Sequence, residues 1–227
     1  MTVVCEITFV PPLPSAGAEL VRHLAGLPEL VSLDLYTPAR DNTADPYVQD
    51  GTAPAHLAVL AFASLEALDG AARHARFSAG LASIGSAVLS CTAMRRTDHA
   101  VAGADAPAAL AAPFSYVVRY HRPAEDETEF VRHYVETHPL LLARLPGIRN
   151  VMCYLPLGWR HAGGASAADY MLGNEVVFDD IAAFNAAMAS PVRHELRAHF
   201  RQFPAFSGRN THFAMHRRRA PVEPVTA

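Results

Sequence analysis

The sequence predicts an α+β fold in which two βαββαβ repeats follow one another in one chain. Three observations carry this. A cycle of strand-like and helix-like periodicity runs twice, an Ala/Gly/Pro-rich stretch separates the two cycles, and residues match at equivalent places in both. Two such repeats give two four-stranded antiparallel sheets, each covered by helices on one face, and the bare faces must then be buried against each other.

In the first cycle, residues 2–10 are rich in β-formers, and 16–26 carry helical spacing through Leu20, Val21 and Leu24. Residues 30–36 return to strand character, and 37–55 form a polar loop rich in Pro, Asp and Gly. A third strand is expected at 56–63, a helix at 64–84 and a fourth strand at 86–94. Residues 97–113 show no usable period and read as a linker.

The second cycle places a strand at 114–121, a helix at 126–137, strands at 147–156 and 169–178, a broken helix at 179–203 and a last strand at 209–216. Residues 217–227, with three arginines and two prolines, read as a frayed tail. The expected division is 1–97 for the first repeat, 98–113 for the linker, 114–217 for the second repeat and 218–227 for a flexible tail. Leu27-Pro28-Glu29-Leu30 with Tyr36 and Pro38 aligns with Leu145-Pro146-Gly147-Ile148 with Tyr154 and Pro156. Likewise Ala61-Phe62-Ala63-Ser64 mirrors Val177-Phe178-Asp179-Asp180.

Composition narrows the function classes. A net charge of −3 supplies no basic excess for phosphate backbones, so nucleic acid is not an expected partner. No run of about 20 apolar residues occurs, and Pro11, Pro12 and Pro14 interrupt the N-terminal apolar stretch, so no membrane span or signal sequence is expected. Cys5, Cys91 and Cys153 stand far apart in strand-like segments without a Cys-x-x-Cys pair, which reads as buried reduced thiols and a cytoplasmic location.

Glu129-Phe130, Tyr134, Thr137-His138-Pro139-Leu140, Leu145-Pro146-Gly147-Ile148-Arg149 and Tyr154 together resemble the EthD family of dimeric α+β barrel proteins. Phe178-Asp179, opening a helix that restarts at Ser190-Pro191, adds to the likeness, which spans roughly residues 114–213. The first half lacks the His-Pro-Leu element and resembles the same ferredoxin-like fold only through the repeat. The resemblance implies a barrel of paired repeats packed as one dimeric-α+β-barrel unit, with a small-molecule pocket and room for a homodimer. Related barrels include isomerases, dehydratase-like proteins, monooxygenases and haem peroxidases, and fold alone does not choose among them.

The chief catalytic candidate is His138. It follows Phe130 and Tyr134 at steps of four, and Pro139 is expected to end the helix there, leaving a half-shielded imidazole that titrates near neutrality. In the strand at 114–121, Phe114, Tyr116, Val118 and Tyr120 share one face, expected to seat helices. Arg119 and His121 share the other, and His212 and His216 are expected with them toward the space between the sheets or solvent, a solvated strand end being the alternative for His216 above all. Arg119 there would anchor an anionic group, and His121 and His212 would assist proton transfer. Tyr154 and Asn174 are substrate-orienting candidates, and Trp159 sits in a Gly-flanked loop able to act as a lid.

No metal and no cofactor are expected. His212 and His216 stand about 13 Å apart along a strand, and His133/His138 and His194/His199 are five apart on divergent helix faces. Gly163-Gly164 lacks the helix that a phosphate cradle needs. The function expected is a cofactor-independent isomerase, dehydratase or lyase acting on a small carbonyl or lactone by acid/base catalysis. The alternatives are a non-catalytic ligand-binding barrel, or a monooxygenase of the related families, cofactor-free or carrying haem on one histidine.

Overall fold

A computed structural model describes residues 2–11, 15–39, 43–48, 55–102, 112–161 and 165–222. The described residues form eight strands and six α-helices in the order β1 (Thr2–Phe9), α1 (Ala16–Leu24), β2 (Ser32–Pro38), β3 (His56–Phe62), α2 (Leu65–Arg73), α3 (Ala75–Ile84), β4 (Val88–His99), β5 (Phe114–His121), α4 (Glu127–Leu142), β6 (Asn150–Pro156), β7 (Tyr170–Phe178), α5 (Ile181–Met188), α6 (Pro191–Phe200) and β8 (Asn210–Ala220). All strand pairs are antiparallel, and they close into one barrel of order β1-β3-β2-β8-β5-β7-β6-β4.

Closure is where the molecule departs from two stacked sheets. The first half contributes the run β4-β1-β3-β2 and the second β8-β5-β7-β6, and their edges zip together. One seam pairs β2 with β8, from Leu33 opposite Ala220 to Pro38 opposite Met215. The other pairs β4 with β6, from Met94 opposite Pro156 to His99 opposite Val151. Unpaired edges carry a row of open backbone donors and acceptors, and the mutual pairing satisfies both. The bare faces thus become a barrel interior.

The seams also explain two boundary differences. β4 runs on to His99, so Asp98 and His99 belong to a strand rather than to a linker. β8 runs on to Ala220, which takes in the arginines read as tail. Buried Asp34 on β2 receives Arg217 at 2.9 Å and Arg219 at 2.7 Å, so these cations lock the seam. The remainder of the expected linker (103–111) and tail (223–227) lies outside the described residues, as does Gly163-Gly164.

Helices cover the barrel wall in two groups. Leu20, Leu24, Leu68, Phe77 and Leu81 of α1, α2 and α3 pack on the outward residues of β1–β4. Phe130, Tyr134, Phe184 and Leu196 of α4, α5 and α6 pack on those of β5–β8. The single helix expected at 64–84 is two, because His74 adopts an extended backbone and its imidazole accepts the Arg76 N–H at 3.2 Å. The helix expected to stop at Thr137 continues to Leu142 with Pro139 inside it. Proline there removes one amide donor, and the tertiary packing of Leu142 and His138 overrides its preference.

The barrel interior is filled. Val4, Tyr36, Met94, Val117, Met152, Tyr154, Phe213 and Met215 interdigitate, as expected for eight strands. Within them sits a polar network. Glu175 accepts hydrogen bonds from Ser115 at 2.6 Å, Tyr154 at 2.7 Å and Tyr36 at 3.0 Å, while Arg119 pairs with Glu6. Buried carboxylates require such partners.

Candidate functional site

A cavity lies outside the barrel wall, beneath the helices of the second half. Its volume is about 330 Å³. The floor is a sheet row that the register fixes: Val118 on β5 stands opposite Asn174 on β7 and opposite His212 on β8, with Tyr116, Tyr120, Val176 and Asn210 beside them. His138, Leu142 and Leu145 from α4 and its end, and Arg193, Leu196, Arg197 and Phe200 from α6, form the roof. Asp45, Tyr47 and Val48, from the segment between β2 and β3, close one side.

That side wall is pinned by charge. Asp45 and Arg193 make a bidentate pair, with Nε–O distances of 3.1 and 3.2 Å and Nη2–O distances of 2.8 and 2.9 Å. Both side chains are largely buried, which favours the fork geometry of arginine. Tyr47 lies under the Arg193 guanidinium and places its hydroxyl 2.5 Å from Nδ1 of His194. The first half thereby completes a cavity built mostly by the second.

His138 is buried, and its Nδ1 lies 3.1 Å from Nδ1 of His199. The His199 ring, half-buried, in turn stacks on His133 at 5.4 Å. One proton serves the Nδ1–Nδ1 contact, and the His138 Nε2 is left as the ring nitrogen that a ligand can use. Burial pushes His138 down to about 3, with repulsion from Arg193, and from His199 and His133 whenever they are protonated, adding to it. The imidazole is neutral at physiological pH and does not titrate near neutrality, contrary to the sequence-based expectation. Burial also lowers His199.

A pH dependence of stability results. The unfolded imidazole takes up a proton near pH 6.5, whereas the folded one resists until about 3. Its contribution is complete above 6.5 and is lost as pH falls from there toward 3. Between pH 7.5 and 5 the loss through His138 alone is about 2 kcal/mol, or about 4–8 °C in Tm. Thermal melts of the wild-type chain and of His138→Gln at both pH values check this. The variant is expected to lose that share of the difference.

Polar groups on the floor are linked to the roof. The Asn174 amide donates to the Tyr134 hydroxyl, and the Tyr134 and Tyr120 phenols are hydrogen-bonded to each other. Burial raises both phenols well above the ordinary range of a tyrosine, so they stay neutral. Arg197 borders the cavity with a buried Nε that has no hydrogen-bond partner among the described residues.

Three of the seven residues singled out from sequence therefore meet here: His138, Asn174 and His212. The other four do not. Arg119 is buried inside the barrel against Glu6, with its guanidinium over Tyr154, so neither reaches the cavity. His121 ends β5, bound to Asp169 and edge-on to Tyr170. Trp159 is no lid, since it is buried against the first-half core with its indole N–H directed to Asp69 at 3.4 Å. His212 and His216 stand on the helix side of the wall, opposite Val118 and Phe114, and not with Arg119. Sequence reasoning missed Asp45, Tyr47, Arg193, Arg197 and His199. Only His199 carried a local signal, and its spacing from His194 concealed the contact with His138 on another helix.

An α+β barrel with a side cavity under its helices places the chain in a recognisable fold class. An anthrone oxidase-like protein superposes with a TM-score of 0.60 over 100% of this chain and 96% of its own, at 14% identity. A protein described as a monooxygenase from Fusobacterium nucleatum subsp. nucleatum ATCC 25586 gives 0.59 over 95% and 91%, at 11% identity. Another so described, from Lactobacillus acidophilus NCFM, gives 0.57 over 96% and 95%, at 9% identity. Identities this low show a shared fold alone. No curated protein matches the chain. The sequence profile of the EthD domain matches residues 122–207, from the end of β5 to the approach to β8. The segment that matches the EthD domain supplies α4, α6, His138 and Asn174 to the cavity.

Proposed function

We propose that the cavity binds a small, largely apolar carbonyl or hydroxyaromatic compound and that His138 removes a proton from it. The observation that carries this reading is a neutral imidazole on the cavity wall whose second nitrogen is already bonded to His199. As Nε2 accepts a proton, the Nδ1 proton passes to His199 in the same step, so the charge that burial disfavours on His138 rests on His199, which is nearer solvent. Tyr120 and Asn174 are placed to donate to the oxygen that becomes negative, and the unpartnered Arg197 Nε supplies a cationic donor. The apolar floor and roof take the hydrocarbon body, and a volume near 330 Å³ is at the lower end of small-molecule pockets.

The step after proton removal defines the reaction. Reprotonation at another carbon, or loss of a leaving group, gives isomerase, dehydratase or lyase chemistry with the chain's own groups. A second reading, delivery of the carbanion's electrons to dioxygen, is favoured by the names of the barrels that superpose over nearly the whole chain. Proton abstraction is common to both. We further read the two halves as a duplicated ferredoxin-like repeat, since each contributes strands in the same order. On that reading the first repeat ends at His99 and the second spans residues 114–220.

The test is incubation with enolisable ketones, lactones and hydroxyanthrones in deuterated buffer with dissolved oxygen monitored. The expected result is solvent deuterium at the acidic carbon, or oxygen uptake equal to substrate consumed. Compounds that bind in the cavity yet show neither would overturn the reading.

A further inference from the structure

A second group of reactive side chains lies on β1, β4 and the connection after β6, apart from the cavity residues. In the register of β1 with β4, Cys5 faces Ala93 and Cys91 faces Ile7, so the two cysteines are diagonal neighbours on the helix-covered face. Their sulfurs are 3.4 Å apart. The connection after β6 folds back along β4, with the Leu157 N–H donating to the Ala93 carbonyl at 2.9 Å and the Cys91 N–H to the Ser166 carbonyl at 3.0 Å. It carries His161 onto Cys91, to which the imidazole is hydrogen-bonded. Trp159 stacks on His161 at 5.4 Å, and Phe77 meets it edge-on at 5.6 Å.

We propose that Cys5 and Cys91 form a peroxide-reactive dithiol, with Cys91 as the attacking sulfur and His161 as the group that takes its proton. The Cys91 thiolate attacks the terminal oxygen of a hydroperoxide, forming the S–O bond of a sulfenic acid as the O–O bond breaks, and the other oxygen leaves as water or an alcohol with the proton from His161. The Cys5 sulfur then displaces the sulfenic hydroxyl, forming the disulfide and releasing water. Two thiols and one hydroperoxide thus give one disulfide, one water and one alcohol, or two waters from hydrogen peroxide.

Local electrostatics agree with this division of roles. The hydrogen bond from Cys5 and that from His161 bring Cys91 down to about 6 against the opposing effect of burial, whereas the bond to Cys91 and burial raise Cys5. Cys153, buried in the other half with no such neighbours, is pushed up to about 12 and provides an internal control. A thiolate at neutral pH is the reactive form, so the two sites should differ sharply in rate.

The experiment treats the folded chain with hydrogen peroxide, then alkylates under denaturing conditions and maps the peptides by mass. The expected result is a Cys5–Cys91 cross-linked peptide about 2 Da lighter than the two thiol peptides, with Cys153 fully alkylated. The fluorescence of Trp159, the single tryptophan, should change in step because its stacking partner loses the thiolate. Cys5→Ser should trap a dimedone-reactive sulfenic acid at Cys91, and His161→Gln should slow oxidation at least tenfold. Oxidation of Cys153 as fast as Cys91, absence of the cross-link while the chain stays folded, or an unchanged rate in His161→Gln would overturn the proposal. The wild-type mapping and His161→Gln decide the matter even if Cys5→Ser fails to fold.

Discussion

His138→Gln is expected to lower kcat by about two to four orders of magnitude while leaving ligand affinity within a few-fold and the Tm at pH 7.5 within a few degrees. Glutamine fills most of the imidazole's volume and can still hydrogen-bond to His199, so the roof of the cavity persists. It cannot take up a proton. The assay is the solvent-exchange or oxygen-uptake measurement, with binding followed separately by ligand titration. A variant that binds and turns over within tenfold of wild type would remove His138 from the chemistry. The imidazoles stacked beyond it do not substitute, since His199 and His133 do not line the cavity; His212 does, and His212→Gln is the companion variant that separates its contribution.

The largest loss of stability is expected inside the barrel, at Glu6 and Arg119. Both are almost wholly buried. Burial opposes charge on Arg119, but the Glu6 carboxylate outweighs it and holds the guanidinium protonated. The Val118 carbonyl at 3.0 Å and the Asn174 carbonyl at 3.2 Å take further donors. Room for the group comes from Gly173, where a Cβ would fall 2.8 Å from Nη1. Glu6→Ala leaves a buried cation without its counterion and is expected to cost about 3–5 kcal/mol. The double change Glu6→Leu with Arg119→Met removes both charges and should recover most of that loss. Urea denaturation of the three chains measures it. A single variant as stable as wild type would show that Arg119 is not held by Glu6, and would reopen its assignment as a ligand anchor.

Much of the fold was legible because each strand and helix leaves a local period. β5 falls on the residues expected, 114–121, and α5 and α6 fall within the broken helix anticipated at 179–203. The seams were not legible, since they are made by backbone pairing at strand edges and leave no side-chain pattern. For the same reason the cluster Arg217-Arg218-Arg219 looked like a tail until Asp34 on a distant strand supplied its partner.

The site was legible in type more than in place. His138 and Asn174 could be chosen because a polar group on an apolar face is conspicuous. His212 was chosen as well but assigned to the wrong side of the wall. In this barrel both faces of a strand are apolar, one toward helices and one toward the interior, so alternation alone does not say which is which. Arg119 does face the barrel interior, as alternation indicated; what alternation does not show is that this interior is filled, so that Arg119 is spent on Glu6 and Tyr154 on Glu175. Asp45 and Arg193 are separated by 148 positions, and no local spacing can announce such a pair.

The most direct measurement is a crystal structure with the tightest-binding enolisable compound, or a stable enolate mimic. The proposal predicts the ligand between β5–β8 and the α4/α6 roof, with its acidic carbon or hydroxyl facing Nε2 of His138 and an oxygen within about 2.6–3.2 Å of a donor from Tyr120, Asn174 or Arg197. A ligand lodged among Arg119, Tyr154 and Glu175 within the barrel, or one seated in the cavity with His138 turned from it, would contradict it.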